Sequence, residues 1–429
     1  MTYNETINYL YSALPMFSRI GDAAIKKDLT NTRILCERLD NPETKFKSIH
    51  IAGTNGKGSV SHMLAAVLQS AGYKTGLYTS PHLKDFRERI KVNGSMMDEK
   101  SVIQFTEKVK PLIAEIEPSF FEITVAMAFE YFADQRVDIA VIETGLGGRL
   151  DSTNIILPEL SVITNIGMDH MQILGDTLEK IAGEKAGIIK QDVPVVIGET
   201  DAMTSNVFKI TAKQKNAPII FADKIRYADE YRNENHELAV TVVASASNEK
   251  QIINLDLTGI YQTKNLITVL AAVDILKNAG WKINETNLLQ GLRHAKKITG
   301  LHGRWDVIHH DPLVVLDVGH NKDGIQQIVE QIEWMNYHSL HIVIGMVKDK
   351  DVESVIKLLP KEALYYFTKA QIPRAMPEEQ LASIAEQNGL KGHAYADVNT
   401  ALTNALNSAH KNDLIVVCGS VFVVGEVRM

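Results

Sequence analysis

The chain is predicted to fold as two α/β domains: a large N-terminal one built on a mostly parallel sheet and a smaller, doubly wound C-terminal one. Three observations carry that expectation. Short apolar runs of strand length alternate with helix-length segments through most of the sequence, the pattern of parallel strands joined by crossover helices. At 429 residues the chain exceeds one ordinary domain. The alternation breaks over Ala222–Leu257 and resumes as a second series after about Lys297.

The elements follow in order. Ser48–Ala52 reads as a strand feeding the loop Gly53–Ser59. Val60, Met63, Leu64, Val67, Leu68 and Ala71 then recur at helical spacing until Gly72 stops the run. Thr75–Thr79 is the next strand, followed by the turn Ser80-Pro81-His82. Val137–Glu143 is a buried strand whose last residue is acidic, and Leu160–Thr164 is a strand leading to Asn165 and Gly167. Polar and β-branched residues mix over Ala222–Leu257, which suggests a few antiparallel strands appended to the sheet. Leu313–Val318, Leu340–Ile344, Leu364–Phe367 and Asp413–Cys418 form the second set, that of a Rossmann-like domain. The boundary falls in Lys296–Gly300, giving domains 1–297 and 298–429.

Composition narrows the function. Hydrophobic residues make up 45% and charged residues 23%, as in a globular protein with a sizeable core. A net charge of -7, from 52 acidic and 45 basic residues, gives no global positive field, so nucleic acid is not an expected partner. An anionic substrate would need a local basic pocket. The start, MTYNETINYLYSALPMF, lacks the basic and apolar regions of a secretory signal. Apolar runs such as Val137–Ile142 and Leu414–Val417 are too short to span a bilayer, so a cytoplasmic protein without a membrane partner is expected. Cys36 and Cys418 lie far apart in the chain and read as reduced, buried thiols.

The loop Gly53-Thr54-Asn55-Gly56-Lys57-Gly58-Ser59 carries the strongest chemical signal. Glycines let a backbone wrap close to phosphate oxygens, and N–H groups at a helix start favour anions. Lys57 can add a positive charge at the outer phosphates. The spacing departs from G-x-x-x-x-G-K-[ST], because Ile51 stands where the first glycine belongs and Gly58 follows the lysine. Against a mere glycine-rich turn stand three glycines and a lysine within six residues, between a strand and a helix. The expectation is therefore a P-loop-type ATPase domain using ATP.

Ser80, Glu143 and His170 each follow a predicted strand, and the carboxyl ends of parallel strands line the crevice where ligands bind. A hydroxyl, a carboxylate and an imidazole there can share one magnesium, with water and phosphate completing the octahedron. Each also has a plain alternative: a turn-capping serine, a carboxylate paired with Arg149, and a packed histidine, imidazole being an uncommon magnesium ligand.

Taken together, the segments HIAGTNGKGSV, TSPHL, ETGLGGRLDSTN, NIGMDHMQILGDTLEKIAGEKAGIIK and GRWD…LDVGHNKDG resemble folylpolyglutamate synthase and dihydrofolate synthase, of the Mur ligase superfamily. The resemblance runs from about Phe46 to the C-terminus. It implies that Gly53, Thr54, Asn55, Gly56, Lys57, Gly58 and Ser59 hold the nucleotide phosphates. It implies magnesium ligands at Ser80, Glu143 and His170, and a carbamylated Lys185 binding a second magnesium. Without it, Lys185 reads as half of a solvated Glu184–Lys185 face. Arg304, Asp317 and His320 would complete the nucleotide site from the second domain, with Asn321 alongside, and Asn265 would lie near the nucleotide. The pterin substrate would touch Phe121-Glu122 and Leu150-Asp151-Ser152.

The implied reaction joins L-glutamate to a folate, and also to dihydropteroate, through an acyl phosphate. Lys57, Lys185, His170 and Arg304 are its expected catalytic residues. ATP and two magnesium ions are the implied cofactors, a monovalent cation an open addition, and a monomer the expected state. Phe17–Ala24 departs from relatives, which often carry a Gly-Leu-x-Arg-like stretch there, and this bears on the folate pocket. Two rivals remain. One is a Mur-type ligase of cell-wall precursors, against which stand the mere 52 residues before Gly53. The other is a non-catalytic ATP-binding regulator, against which stand Lys57, Glu143, His170 and Lys185.

Overall fold

The computed structural model describes residues 1–16, 21 and 28–428; of the departing segment Phe17–Ala24, all but Gly21 lies outside them. The chain forms two units. The first comprises Met1–Gly167, Met171–Asp256 and Gln262–Leu301; the second gathers Met168–His170, Leu257–Tyr261 and the chain from His302 on.

In the first unit, β1 (Lys47–Ala52), β2 (Thr75–Tyr78), β3 (Ile90–Val92), β4 (Ser95–Met96), β5 (Ile139–Glu143), β6 (Leu160–Ile163), β7 (Val195–Ile197) and β8 (Ile219–Phe221) make an eight-stranded sheet. Its order is β4-β3-β2-β5-β1-β6-β7-β8, antiparallel only at the β3 and β4 edge. The central strands are buried along almost their whole length, which is why β5 reads as a continuous apolar run rather than as an alternation. One hydrophobic cluster, including Leu35, Phe105, Ile123, Phe129, Phe132 and Ile142, gathers the helices Thr30–Arg38, Glu99–Ile116 and Phe120–Asp134 around strand residues. A second, with Ile163, Ala182, Ile188 and Phe208, packs the helices Leu178–Ala186 and Ser205–Gln214.

The strands expected over Ala222–Leu257 are present but are not appended to the large sheet. After a helical turn at Ala222–Ile225, β9 (Arg226–Glu234), β10 (Glu237–Ala244) and β11 (Lys250–Leu255) form their own antiparallel sheet in the order β11-β10-β9. Its inner face, with Leu238, Val240 and Ile253 fully buried, rests on the helices Gln262–Asn278 and Glu285–Arg293, so its burial comes from helices and not from β8.

In the second unit, β12 (Asp306–His310), β13 (Leu313–Leu316), β14 (Leu340–Ile344), β15 (Leu364–Phe367), β16 (Lys391–Ala394) and β17 (Leu414–Cys418) are ordered β12-β13-β17-β14-β15-β16. The sheet is parallel except for β12. The fold is thus α/β with a mostly parallel N-terminal sheet and a second, mixed sheet behind it in sequence. The strands β12 and β16, which the sequence did not single out, are edges whose exposed residues, such as His310 and Lys391, dilute the apolar pattern. Both cysteines are buried and unbridged, as expected. No helix among the described residues is long and apolar enough to cross a membrane.

Candidate active site

The phosphate-type loop leaves β1 at Gly53 and enters the helix Lys57–Ser70 through Gly56, which takes a left-handed backbone (φ +83°). A Cβ at Gly56 would stand 2.3 Å from Asn265 Oδ1, and one at Gly53 would stand 1.9 Å from Thr164 Oγ1, so a side chain at either position must displace its neighbour. The loop is strapped to the end of β6. Thr54 N–H donates to the Asn165 carbonyl (3.0 Å), Asn55 N–H to Asn165 Oδ1 (2.9 Å), and Thr164 Oγ1 to the Asn55 carbonyl (2.6 Å). Lys57 Nζ donates to the carbonyls of Gly53 and Thr54 (3.1 Å each), holding the ammonium over the loop. The first-turn N–H groups of a helix have no acceptor within it. Here they open on a glycine loop with a lysine beside it, which is an anion site.

Asn265 lies behind this turn: its amide donates to Gln262 Oε1 (2.8 Å), and Gln262 Nε2 donates to Ser59 Oγ (3.1 Å). Gln262, which sequence reasoning left aside, therefore links the helix Gln262–Asn278 to the loop's last residue. Its only signal was its place beside Asn265 in the segment QTKN.

Ser80 and Glu143 come together at the carboxyl ends of the neighbouring strands β2 and β5, where Ser80 N–H donates to Glu143 Oε2 (3.3 Å). Glu143 is 4% exposed and is not paired with Arg149, whose guanidinium lies 2.8 Å from Glu184 Oε1. Next to Glu143, Thr144 Oγ1 is buried with no hydrogen-bond partner among the described residues. Lys185 is no part of a solvated face. It is 4% exposed, and its Nζ donates to the Gly53 carbonyl (2.7 Å), at the root of the phosphate loop. A hydroxyl and a carboxylate side by side are the hard oxygen donors that magnesium takes. No cluster of three or more His, Cys, Asp or Glu side chains able to hold a metal occurs among the described residues, so a cation here would also draw on water and phosphate oxygens.

The segment Leu150-Asp151-Ser152 belongs to a loop that a buried chain of hydrogen bonds fixes in place. Asp151 Oδ2 accepts from Leu146 N–H (2.8 Å), and its Oδ1 from Thr153 N–H (3.0 Å) and Thr153 Oγ1 (2.5 Å). Because the Thr153 hydroxyl proton goes to Asp151, its oxygen is the acceptor for His50 Nε2 (2.8 Å). Burial pushes the Asp151 carboxyl up and the His50 imidazole down, the latter to about 3, so His50 is neutral with its proton on Nε2. Leu150 and Ser152 are half-buried. Phe121 and Glu122 open the helix Phe120–Asp134. Glu122 Oε2 accepts from Ser119 N–H (2.7 Å) and Oγ (2.9 Å) in a capping box, while its Oε1 is buried without a hydrogen-bond partner among the described residues. The ring of Phe121 lies against Gly145, where a Cβ would come within 2.5 Å of it.

The second unit has its own polar cluster. Asp317, at the end of β13, is 3% exposed, and its carboxylate accepts from Tyr261 OH (2.5 Å), Trp305 N–H (2.9 Å) and Gly319 N–H (2.9 Å). Burial raises its pKa against these hydrogen bonds and the Arg304 charge, and burial beside Asp317 raises that of Tyr261. Its direct contacts thus hold Trp305 and so place the adjacent Arg304, whose Nη1 donates to the Gly303 carbonyl (3.1 Å). His170 belongs to this unit, Ser80 and Glu143 to the first. Its neighbour Asp169 accepts from Asn321 Nδ2 (3.1 Å), lies 3.5 Å from His320 Nε2 and forms an ion pair with Lys350. Burial opposes the Asp169 charge, but the His320 hydrogen bond and the cationic neighbours outweigh it and hold this carboxyl well below the usual range. Lys350 had no signal in the sequence, since Lys348-Asp349-Lys350-Asp351 reads as a solvated charge run.

Comparison with known proteins fits this arrangement. Residues 51–273 match the family model "Mur ligase middle domain", and residues 303–421 match "Mur ligase, glutamate ligase domain". The dihydrofolate synthase/folylpolyglutamate synthase of Bacillus subtilis is 34% identical over 417 residues, covering 94% of this chain and 95% of that protein. A probable bifunctional folylpolyglutamate synthase/dihydropteroate synthase of Haloferax volcanii is 33% identical over 437 residues; the chain spans 50% of its length. Among solved structures, the bifunctional folylpolyglutamate synthase/dihydrofolate synthase of Yersinia pestis, complexed with AMPPNP and a manganese ion, superposes with a TM-score of 0.83. It is 27% identical, and the match covers 99% of this chain and 97% of that one.

Proposed function

The chain belongs to the folylpolyglutamate synthase/dihydrofolate synthase family of Mur ligases, and from that premise we propose that it uses ATP to join L-glutamate to a folate carboxylate. A carboxylate is a poor acylating agent. Transfer of the γ-phosphoryl group of ATP to it gives an acyl phosphate and ADP; the glutamate amine then attacks the acyl carbon, and phosphate leaves as the amide forms. No side-chain nucleophile is needed.

The observation that carries the proposal is the convergence, at the carboxyl ends of the neighbouring strands β1, β2 and β5, of the strapped loop Gly53–Ser59, the Ser80–Glu143 pair and buried Lys185. In this proposal the loop backbone and Lys57 bind the phosphates, and Arg304 and His320 complete the nucleotide site. Asn265 supports the loop turn, and Asp317 holds Trp305 so that Arg304 is placed. Ser80, Glu143 and His170 hold one divalent cation, and carbamylated Lys185 a second; when bound, the cations offset charge on the phosphate oxygens. Lys185 fits that role: a carbamate keeps one N–H, so the bond to the Gly53 carbonyl can survive the modification. The pterin end lies against Phe121, Glu122 and the Leu150–Ser152 loop, which the His50–Thr153–Asp151 chain makes rigid.

We extend the proposal to dihydropteroate as a second acceptor, because the two acceptors differ only in how far the reacting carboxylate stands from the pterin. We further propose residues 1–297 as the ATP-binding domain and 298–429 as the ligase domain of a cytoplasmic monomer without nucleic-acid or membrane partners. ADP release from ATP and magnesium that requires glutamate and a folate together tests the proposal. Release that depends instead on a nucleotide-linked peptide, or no turnover at all, defeats it.

A further inference from the structure

We infer that Glu199 is a positioning residue of the phosphate loop: acting through the side-chain amide of Asn165, it decides which of the loop's N–H groups are kept for the scaffold and which face the nucleotide. Asn165 lies two residues beyond β6 and meets the loop twice, its carbonyl accepting from Thr54 N–H (3.0 Å) and its Oδ1 from Asn55 N–H (2.9 Å). An amide turned over would set Nδ2 against the Asn55 N–H, donor against donor. Glu199 prevents the reversal, since its Oε1 accepts from Asn165 Nδ2 (3.1 Å) and a carboxylate has only acceptors to offer.

The backbone of Glu199 is itself fixed. It lies two residues beyond β7, where Gly198 N–H donates to the Ile163 carbonyl (2.8 Å) and Glu199 N–H to the Thr164 carbonyl (3.1 Å), continuing the pairing with β6 past the strand. A Cβ at Gly198 would stand 2.4 Å from both the Thr164 carbonyl oxygen and Thr268 Oγ1, so glycine lets the chain run this close to its neighbours. The other carboxylate oxygen, Oε2, is drawn outward by Lys264 Nζ (3.0 Å), with the side chains 32% exposed for Glu199 and 56% for Lys264. A pair so exposed adds little by itself. What Asn165 needs is the acceptor at Oε1. The consequence rests on the reading of the loop as the nucleotide's phosphate site. With the Thr54 and Asn55 N–H groups engaged by Asn165, the phosphates are left to those of Gly56, Lys57, Gly58 and Ser59 at the helix start.

The experiment uses the full chain and two readouts: binding of a non-hydrolysable ATP analogue with magnesium, and amide hydrogen exchange of the loop peptide without nucleotide. Glu199→Leu is expected to speed exchange in the loop while the rest of the chain exchanges as before, and to weaken analogue binding by roughly tenfold. Glu199→Gln keeps an acceptor for Asn165 and is expected to restore both readouts, and Lys264→Met to leave both as in the wild type. Asn165→Ala removes the amide on which Glu199 acts, so it should match Glu199→Leu, and the double variant should be no worse than either alone. Wild-type exchange and affinity in Glu199→Leu or in Asn165→Ala overturn the inference. So do losses that add in the double variant, or a loss in Lys264→Met equal to that in Glu199→Leu, which would place the effect in the ion pair. If the wild-type chain does not bind the analogue, the nucleotide reading of the loop fails and takes the affinity arm with it. The exchange results then decide the role of Glu199 by themselves.

Discussion

Substituting Gly56→Ala sets two costs against each other that the structure allows to be separated. The backbone at Gly56 is left-handed, φ +83°, which costs a residue with a Cβ about 1–2 kcal/mol. The new methyl would also stand 2.3 Å from Asn265 Oδ1, so Asn265 must move and its hydrogen bond to Gln262 Oε1 is lost, for about 1 kcal/mol more. Gly72 provides the control: its φ is +88°, yet nothing lies within 4 Å of a Cβ there. Gly72→Ala should therefore lose only the backbone share, about 1–2 kcal/mol, with unchanged nucleotide binding. Gly56→Ala should lose about 2–3 kcal/mol in urea unfolding and, because Asn265 and the turn shift together, bind MgATP at least about tenfold more weakly by calorimetry. Equal stability losses in the two variants, with wild-type MgATP affinity in both, would show that Asn265 does not buttress the loop.

Two further outcomes follow from buried groups. Burial lowers the His50 pKa to about 3, against about 6.5 for a histidine in an unfolded chain. The unfolded state therefore binds the extra proton, and stability present above pH 6.5 drains away as the pH falls towards 3, by an amount on the order of 5 kcal/mol for the full span. Unfolding free energies measured between pH 7 and 4 should fall more gently for His50→Asn than for the wild type, and parallel slopes would refute the burial argument. At Lys185, equilibration with ¹³C-bicarbonate should give a carbamate carbon signal that is absent from Lys185→Arg. An active, equilibrated sample without that signal would remove the carbamate from the account.

Much of the fold was legible because buried parallel strands advertise themselves. β1, β2, β5 and β6 are buried along almost their whole length, and each ends at or shortly before a residue whose chemistry stands out: glycine, serine, glutamate or asparagine. What escaped were features decided by tertiary contact. β9, β10 and β11 show the same polar and β-branched mixture whether they extend a sheet or form their own, and only the helices beneath them settle it. Lys185 looked solvated because its neighbour Glu184 does pair at the surface with Arg149, while the lysine itself turns inward to the Gly53 carbonyl. Lys350 sits in a charge run of the solvated kind, and its partner Asp169 is 181 positions away, beyond the reach of any local pattern. His50 and Thr153 were likewise invisible, since a lone histidine in a strand signals nothing until its partner in the loop after β5 is seen.

The central claim is that one ATP site drives amide formation between glutamate and a pterin-bearing carboxylate. The most direct measurement is mass analysis of the products from purified protein given ATP, magnesium and L-glutamate, with either dihydropteroate or a reduced folate monoglutamate as acceptor. The account predicts, for each acceptor, a product heavier by one glutamyl residue, formed in step with one ADP and one phosphate. Product from one acceptor alone would contradict the dual activity, and ADP formed without any glutamylated product would contradict the ligase itself.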